Sequence, residues 1–207
     1  MKILITAGPT HEHLDPVRFI GNNSSGLQGI ELAKLAYSSG NDVTLILGPT
    51  QLDVPYKGIK LIRVVSADEM FEKTKENFPN CDIAIFSAAV ADYKPKTTSD
   101  KKIKRDGSDM TIELTPNRDI ALEMGKLKTP KQVTIGFALE TNDGYEHAMK
   151  KIEKKNFDFI ILNETSKENP AFGSIYNQVT IIDRQGTQVH IEKTTKEEIA
   201  KSILTLV

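Results

Sequence analysis

Residues 1–36 read MKILITAGPTHEHLDPVRFIGNNSSGLQGIELAKLA, and this stretch predicts the fold. A short apolar run, Ile3–Ile5, leads into a turn of small residues, Ala7–Thr10. A polar loop follows, and Ser24-Ser25-Gly26 then begins a helix predicted over Leu27–Ser38. A strand, a loop and a helix N-terminus make a phosphate site, because backbone N–H groups and the helix dipole point at the anion.

The loop between this strand and helix is longer than cofactor binding requires. It carries Asp15, Arg18, Asn22 and Asn23. A plain dinucleotide-binding fold makes the same turn with a compact G-x-G-x-x-G motif. The additional polar side chains therefore indicate that chemistry also takes place at this turn.

Further along the chain, predicted strands alternate with predicted helices. The predicted strands are Asp42–Leu47, Lys60–Val65, Asp82–Ser87, Val133–Leu139 and Phe157–Asn163. One predicted helix begins at the capping box Ser66–Glu69, and two others span Asp119–Lys126 and Gly144–Lys155. Such alternation predicts right-handed βαβ crossovers and a parallel sheet. We therefore expect one Rossmann-like α/β domain over residues 1–207, with a mostly parallel sheet flanked by helices.

Two segments interrupt this alternation. Residues 94–106 are dense in lysine, and Lys102–Arg105 and Met110–Leu114 flank an Asp-Gly-Ser-Asp sequence, which predicts a flap hairpin projecting from the sheet. Ser174–Asp183 and Thr187–Glu192 predict a second, C-terminal β-hairpin. A closing helix then begins at the capping box Thr195–Glu198.

The composition excludes several classes of protein. The chain has 39% hydrophobic and 27% charged residues and a formal net charge of −1, which suits a soluble globular protein and disfavours a nucleic-acid or membrane-surface binder. One cysteine, Cys81, excludes an internal disulfide and suits a reducing compartment. We see no signal peptide and no membrane span, so the expected location is the cytoplasm. His11 and His13 lack a third ligand, so no protein-held metal is predicted.

Polar residues follow four of the predicted strands, where open α/β sheets bind ligands. These segments are Gly8–Gly26, Ser87–Pro95, Gly136–Asn142 and Asn163–Glu164. In the second segment, alanines would let a flat ligand approach the backbone, and Asp92 offers a carboxylate to a ribose, a metal or an ammonium group. The alternative for this segment is tight helix–sheet packing, with Asp92 as a helix cap.

Lysines cluster in the flap and on the polar side of the helix at 144–155. In a chain of net charge −1, local basic clusters indicate local anions such as a triphosphate, although a solvated surface is the alternative for any single lysine. A nicotinamide oxidoreductase is the main rival. Two absences disfavour that rival. The second strand ends in Leu47-Gly48-Pro49 without an acidic residue to bind a ribose, and no tyrosine has a lysine four residues later, as the catalytic pair of short-chain dehydrogenases requires.

Six segments carry a resemblance to a known family. They are ITAGPT at 5–10, DPVRFIGNNSSG at 15–26, SAAVADYKPK at 87–96, KKIK at 101–104, GFALET at 136–141 and KKNFDFIILN at 154–163. In these segments the chain resembles the phosphopantothenate–cysteine ligases of coenzyme A synthesis. The resemblance implies that CTP or ATP activates 4′-phosphopantothenate as an acyl nucleotidylate, releasing pyrophosphate, and that the amine of L-cysteine then displaces the monophosphate.

The same resemblance implies the cofactors and the site residues. Mg²⁺ would accompany the nucleotide, and a homodimer is expected. The flap and the terminal hairpin are candidate contact surfaces, and the sequence leaves the position of the interface open. No segment matches the flavin-dependent decarboxylase fused to this domain in many bacteria, which implies a stand-alone form without FMN. The implied residues are Asn22, Arg18 and Lys102 for catalysis; Ala88, Ala89, Asp92, Pro116, Asp119, Phe137, Lys151 and Lys155 for the nucleotide; and Gly8, Ser24, Ser25, Gly26 and Asn163 for the substrate.

Overall fold

The central feature of the computed structural model is an eight-stranded sheet, and the structure describes residues 1–54, 56–105, 107–164 and 173–207. The strands are β1 (Lys2–Ala7), β2 (His11–His13), β3 (Phe19–Gly21), β4 (Asp42–Leu47), β5 (Lys60–Arg63), β6 (Ile83–Phe86), β7 (Tyr93–Pro95), β8 (Leu114–Pro116), β9 (Val133–Glu140), β10 (Phe159–Glu164), β11 (Tyr176–Asp183) and β12 (Gln188–Thr195). The helices are α1 (Leu27–Ser38), α2 (Ala67–Asn77), α3 (Ile120–Leu127), α4 (Gly144–Lys155) and α5 (Lys196–Leu204).

The strand order of the sheet is β12-β11-β10-β9-β6-β1-β4-β5. The strands from β5 to β10 in this order pair in parallel, and β11 and β12 add an antiparallel edge. The chain therefore builds outward from β1 first to one side and then to the other, so that the order reverses between β1 and β6. This is the doubly wound arrangement, and it confirms the predicted Rossmann-like fold with a C-terminal β-hairpin.

The core lies on both faces of the sheet. Ile3 and Ile5 of β1 pack in a cluster with residues of α1 and α5, while Leu4 points into a second cluster with residues of α2, α3 and α4. This burial on both faces explains why the parallel strands read as nearly continuous apolar runs. At Gly29 of α1, a Cβ atom would lie 2.3 Å from the Cβ of Ala7, so only glycine lets α1 pack this closely on β1.

Both predicted capping boxes begin helices. Ser66 Oγ accepts a hydrogen bond from the N–H of Glu69 at 3.2 Å, while the Glu69 carboxylate accepts from the N–H of Val65 at 2.7 Å. Thr195 Oγ1 accepts from the N–H of Glu198 at 3.2 Å. The caps satisfy N–H groups that the first helical turn leaves without partners. None of the helices in the described residues has the length and apolar character needed to cross a membrane.

The predicted flap hairpin is wrong in its strands. The described residues of Lys102–Arg105 form no strand, and neither do those from Met110 to Glu113; Asp106 lies outside the described residues. The two-stranded sheet at this place pairs β7 with β8 in antiparallel fashion. The lysine-rich sequence has no alternating apolar face to bury, whereas β7 and β8 carry tyrosine, leucine and proline next to the sheet end.

The loop after β1 also contains a hairpin that the sequence did not predict. Strands β2 and β3 pair within the segment expected to be irregular. His11 stacks on Phe19 with ring centroids 3.6 Å apart, so this histidine has a packing role. Cys81 is buried, as predicted, and burial raises the pKa of its thiol to about 11.

Candidate functional site

The carboxyl ends of β1 and β6 open into a cleft with two adjoining compartments. The larger compartment has a volume of about 390 Å³ and is lined by the start of α1, the segment after β6 and residues of β9, β10, β11 and α5. The smaller compartment, about 190 Å³, is lined by residues near the start of α3 and on α4. Five residues line both compartments: Ala88, Val90, Asp92, Phe137 and Lys151.

The segments that follow β1 and β6 continue side by side beyond the sheet. The N–H of Ala89 donates to the carbonyl of Gly8 at 2.9 Å, and the N–H of Ala91 donates to Thr10 Oγ1 at 3.0 Å. Gly8 has φ of +80°, and a Cβ there would lie 3.2 Å from the backbone N of Gly48. Gly8 lines neither compartment. Its role in the structure is to shape the turn that supports the cleft wall.

Asn22 joins the two segments at the cleft. Its side-chain Nδ2 donates to the carbonyls of Ala89 at 3.0 Å and Val90 at 3.2 Å. These bonds fix the orientation of the Asn22 amide in the wall of the larger compartment, where Ala88 and Ala89 also lie. Three of the predicted residues thus come together at the sheet edge at which open α/β sheets bind ligands.

The start of α1 forms one end of the larger compartment. Ser24, Ser25 and Gly26 line it, and Gly26 occupies the N-cap with φ of +80°. No side chain caps this helix; Ser24 Oγ accepts from the N–H of Gly26 at 3.3 Å, and Ser25 Oγ accepts from the N–H of Leu27 at 3.4 Å. Helix N–H groups and serine hydroxyls can bind an anionic group here.

The predicted helix lysines both line the cleft, and each has a carboxylate partner. Lys151 Nζ donates to Glu140 at 2.6 Å, and Lys155 Nζ lies 3.0 Å from Asp119. Burial works against ionisation of Glu140, yet the hydrogen bonds and charges of Lys151 and His147 outweigh it and hold the pKa of this carboxyl below its ordinary value. Asp119 also caps α3 by accepting from the N–H of Leu122 at 3.1 Å.

Asp92 and Phe137 lie where the compartments meet. The carboxylate of Asp92 accepts no hydrogen bond from any described residue and caps none of the described helices, so the helix-cap interpretation is wrong. The backbone carbonyl of Asp92 accepts from the N–H of Asn117 at 2.8 Å, and Asn117 Nδ2 donates to the carbonyl of Ala91 at 2.8 Å. These bonds hold the segment after β6 against the loop that precedes α3.

Besides Gly8, three predicted site residues do not line either compartment. Pro116 is exposed in β8, although its neighbours Asn117 and Asp119 line the smaller compartment. Lys102 is exposed in the connection between β7 and β8, and Arg18 follows the β2 strand. Asn163 of β10, by contrast, lines the larger compartment, as predicted.

Arg18 and Asp15 anchor the lysine-rich segment at residues 94–105, here called the flap segment. Asp15 is 2% exposed, and its carboxylate accepts from the N–H groups of Val17, Arg18 and Ile103 at 2.8, 2.9 and 3.0 Å. The Arg18 guanidinium pairs with the same carboxylate and also donates to the carbonyl of Ile103 at 2.8 Å. The residue next to Lys102 is thereby tied to the loop after β1, which gives Arg18 a positioning role.

Replacing Asp15 by asparagine tests this anchor through pH. The hydrogen bond from Arg18 holds the pKa of Asp15 well below its usual range, and N–H bonds from Ile103, Val17 and Arg18 add to this effect. A carboxyl whose pKa is lowered on folding stabilises the fold above its unfolded pKa of about 3.9 and loses that contribution as the pH falls. We therefore expect Asp15→Asn to lower the melting temperature at pH 7, with a difference from wild type that shrinks below about pH 4.

The control for this prediction is Asp100→Asn, which changes an exposed aspartate of the same segment. Its melting temperature should follow that of the wild type at every pH. Melting curves of Asp15→Asn that superimpose on those of the wild type from pH 3 to pH 7 would contradict the anchor.

The cleft also contains polar residues that were not among the predicted site residues, including Gln28, Asn117, Asn177 and Lys196. Asn177 and Lys196 come from β11 and α5, whose place beside the cleft depends on the antiparallel edge of the sheet. One local signal was available. Lys196 is the first residue of a helix, where a positive charge opposes the helix dipole.

A family model described as the DNA/pantothenate metabolism flavoprotein C-terminal domain matches residues 1–207. The chain belongs to this family. The match covers every residue of the cleft described above, including residues from both ends of the sequence.

Curated relatives of the chain are similar to it in sequence over its whole length. The coenzyme A biosynthesis bifunctional protein CoaBC of Vibrio cholerae is 41% identical over 208 residues, which is 100% of this chain and 52% of that protein. A protein of an unknown prokaryotic organism, named cysteine/cysteine sulfinic acid decarboxylase, is 49% identical over 210 residues, 100% of this chain and 58% of that protein. The chain spans about half the length of the curated relatives it matches.

A solved structure confirms the architecture. The crystal structure of the C-terminal domain of a coenzyme A biosynthesis bifunctional protein CoaBC superposes with a TM-score of 0.83 and 38% identity. The superposition covers 99% of this chain and 92% of that one. The mostly parallel sheet and its antiparallel edge are therefore features that the family shares.

Proposed function

We propose that this chain is a phosphopantothenate–cysteine ligase domain spanning residues 1–207. It joins 4′-phosphopantothenate to L-cysteine through an acyl nucleotidylate formed from CTP or ATP. The observation that carries the proposal is the meeting of Asn22, Asp92 and Lys151 in one cleft at the reversal of strand order. Family membership and the similarity to proteins named for coenzyme A biosynthesis support it.

The smaller compartment suits a nucleoside. Phe137 lines this compartment, where its ring could stack on the base, and the Asp92 carboxylate can accept hydrogen bonds from ribose hydroxyls. Asn117 Oδ1 is buried without a partner in the described residues, so it can accept from the exocyclic amino group of a base. Cytosine and adenine both carry such an amino group, and the choice between CTP and ATP therefore needs measurement.

The reaction would take place where the two compartments meet. The carboxylate of phosphopantothenate attacks the α-phosphorus, and the bond to the bridging oxygen breaks, so that pyrophosphate leaves. Lys151 lines both compartments and can stabilise negative charge that develops on the phosphate oxygens. The amine of cysteine then attacks the acyl carbon, the nucleoside monophosphate leaves, and the amine loses a proton. The acyl nucleotidylate is a mixed anhydride, so the reaction requires that bulk water be kept away from it.

Mg²⁺ is expected to enter with the nucleotide. Proteins often hold Mg²⁺ through one or two carboxylates together with substrate phosphates. Asp92 fits such a site as an alternative to its role at the ribose, because it lines both compartments and its carboxylate has no partner in the described residues. The described residues contain no group of three potential metal ligands, so the nucleotide would supply most of the coordination. When bound, the ion would neutralise charge on the phosphates.

Pyrophosphate release by the wild type tests the proposed function. The assay contains 4′-phosphopantothenate, Mg²⁺ and either CTP or ATP, with and without L-cysteine. We expect release that requires phosphopantothenate, and the faster nucleotide identifies the cosubstrate. Absence of release with both nucleotides would contradict the ligase and favour a nucleotide-binding module without catalysis.

Two rival activities are tested with the same preparation. The name of the 49% identical relative refers to decarboxylation, and CO₂ release from cysteine or cysteine sulfinic acid alone would favour that chemistry. Quenching or enhancement of NAD(P)H fluorescence on titration would favour an oxidoreductase. We expect neither signal from the wild type.

A second copy of the chain is the partner that we propose. Apolar side chains are exposed on the two small hairpins, including Phe19 of β3, Tyr93 of β7 and Leu114 of β8. The hairpins adjoin each other through β2 and β7. Covering apolar surface drives association, so a molar mass of twice 23.0 kDa is expected from light scattering, and a monomer would contradict the proposal.

A further inference from the structure

Glu140 has a largely buried carboxylate whose partners lie on α4. It is the last residue of β9, and residues 141–143 connect it to the start of α4. Its side chain is 15% exposed. One carboxylate oxygen lies 2.6 Å from Lys151 Nζ, and the other lies 3.1 Å from His147 Nδ1. Within the part of the chain that the structure describes, this carboxylate therefore bonds to α4 through both of its oxygens.

The three side chains form a chain of hydrogen bonds. His147 and Lys151 are four residues apart, so both project from the same face of α4. Burial opposes ionisation of Glu140, but the bonds and charges of Lys151 and His147 hold its pKa below the ordinary value, and it is ionised at neutral pH. An ionised carboxylate only accepts hydrogen bonds, so His147 Nδ1 carries a proton and donates it. His147 thus fixes one oxygen of the carboxylate that holds Lys151 with the other.

Local secondary structure does not account for the Glu140 carboxylate. Asp119, the partner of Lys155, also caps α3, so its own helix requires it. Glu140 caps none of the described helices. Removing a carboxylate from water costs free energy that its partners must offset. A buried carboxylate paired with the lysine that lines both compartments indicates a role in placing that lysine.

Lys151 reaches the cleft, whereas Glu140 and His147 lie behind it. Lys151 lines both compartments, and neither of the other two residues lines either one. A lysine ammonium has three N–H donors, so the bond to Glu140 leaves two of them for a ligand. A lysine side chain also has many rotamers, and fixing it before the reaction avoids that entropic cost later. Glu140 can therefore set the direction in which the remaining donors point.

We propose that Glu140 is a positioning residue that holds the Lys151 ammonium where the two compartments meet, and that His147 fixes Glu140 through its second oxygen. The inference rests on the proposed function, in which negative charge develops on phosphate oxygens at this junction. A cation that is already in place stabilises that charge without reorienting during the reaction. Glu140 contacts no ligand in this role, because it acts through Lys151.

The first test is Glu140→Gln, which keeps the size of the side chain and removes its charge. We expect kcat for pyrophosphate release to fall by about 10- to 100-fold, because the lysine is no longer held in place. KM for the nucleotide should be unchanged or lower, because Lys151 keeps its charge and loses a competing carboxylate. Glu140→Asp retains a carboxylate and should recover part of the rate. A wild-type kcat in Glu140→Gln, or a raised KM at unchanged kcat, would overturn the inference.

The matched control is Glu146→Gln. It removes the same charge from an exposed position of α4, outside both compartments, and should behave like the wild type. The role of His147 has its own pair of variants. His147→Leu removes the donor and should slow release less than Glu140→Gln does, whereas His147→Gln retains an N–H group and should stay closer to the wild type. Equal rates for these two variants would contradict the role of His147.

A double-mutant cycle tests whether Glu140 acts through Lys151. Lys151→Met removes the ammonium that Glu140 positions, and the remaining rate is measured with and without Glu140→Gln. If Glu140 works only by placing this ammonium, Glu140→Gln should slow the Lys151→Met protein no further. A purely structural role predicts that the two losses add, and additive losses would overturn the inference. Melting temperatures of the four proteins establish that each rate belongs to a folded chain.

Failure of the proposed function gives a separate result, because the wild type would then release no pyrophosphate. In that event the same cycle is measured on the dissociation constants of CTP and ATP by isothermal titration. A change in affinity caused by Glu140→Gln that disappears in the Lys151→Met protein would support positioning through Lys151. A change that persists there, or no change at all, would overturn it. A wild type that binds neither nucleotide would overturn the inference together with the proposed function.

Discussion

Asn22→Asp is expected to abolish pyrophosphate release, lowering its rate by about 100-fold or more. The aspartate has no N–H groups to donate to the carbonyls of Ala89 and Val90, which accept from Asn22 at 3.0 and 3.2 Å. It also brings a negative charge to a compartment proposed to bind a carboxylate and a triphosphate. Stopped-flow detection of pyrophosphate in the presence of phosphopantothenate and CTP or ATP measures the first half-reaction directly.

Asn22→Ala separates the two causes of this loss. The alanine removes the same hydrogen bonds but adds no charge, so its rate should lie between those of the wild type and Asn22→Asp. Asn22 is exposed at the cleft, so we expect both variants to keep the fold. Melting temperatures of the wild type and the two variants check this expectation. Unchanged pyrophosphate release by Asn22→Asp would refute the role that we assign to this residue.

Lys102→Gln is expected to release pyrophosphate but to accumulate the acyl nucleotidylate. Lys102 is exposed, and the backbone of the adjacent Ile103 is bound by Asp15 and Arg18. Closure of this segment would bring the ammonium over the intermediate, where it could stabilise the departing monophosphate. We expect turnover of the intermediate by cysteine to slow by about 10- to 1000-fold, within the range of a lost electrostatic contact in an active site. Rapid quench followed by chromatography measures the intermediate.

The neighbouring lysine provides the matched control. Lys101 is exposed as Lys102 is, but it precedes the anchored residue by two positions. Lys101→Gln should consume the intermediate at the wild-type rate. Accumulation in Lys101→Gln and normal turnover in Lys102→Gln would contradict the assignment of Lys102.

Much of the fold could be predicted because its signals are local. The strands of the parallel sheet are apolar runs buried on both faces, and the capping residues Ser66 and Thr195 mark where α2 and α5 begin. The small hairpins gave no such signal, since each strand of β2, β3, β7 and β8 has three residues. Their pairing depends on long-range contacts; for example, the buried Glu12 of β2 accepts from the N–H of Ala67 on α2 at 2.9 Å.

The residues of the candidate site also differ in how far the sequence predicts their positions. Asn22, Ala88 and Phe137 could be placed together because they follow parallel strands, and the carboxyl ends of such strands meet at one edge. Lys196 and Asn177 could not be placed at the cleft from the sequence, because no crossover rule determines where an antiparallel edge strand and the helix after it lie. Arg18 is close in sequence to Asn22, yet the chain turns through β3 between them, and the arginine points to the flap segment.

The ion pairs of α4 have a consequence for selectivity. Lys151 and Lys155 are held by Glu140 and Asp119 before any ligand binds, so the smaller compartment is nearly neutral in total charge. A small inorganic anion that approached either lysine would have to compete with a carboxylate already in place. A nucleotide can compensate for displacing the carboxylate from the lysine, because its base, its sugar and its phosphates make contacts at the same time. We therefore expect the cleft to bind nucleotides in preference to small inorganic anions.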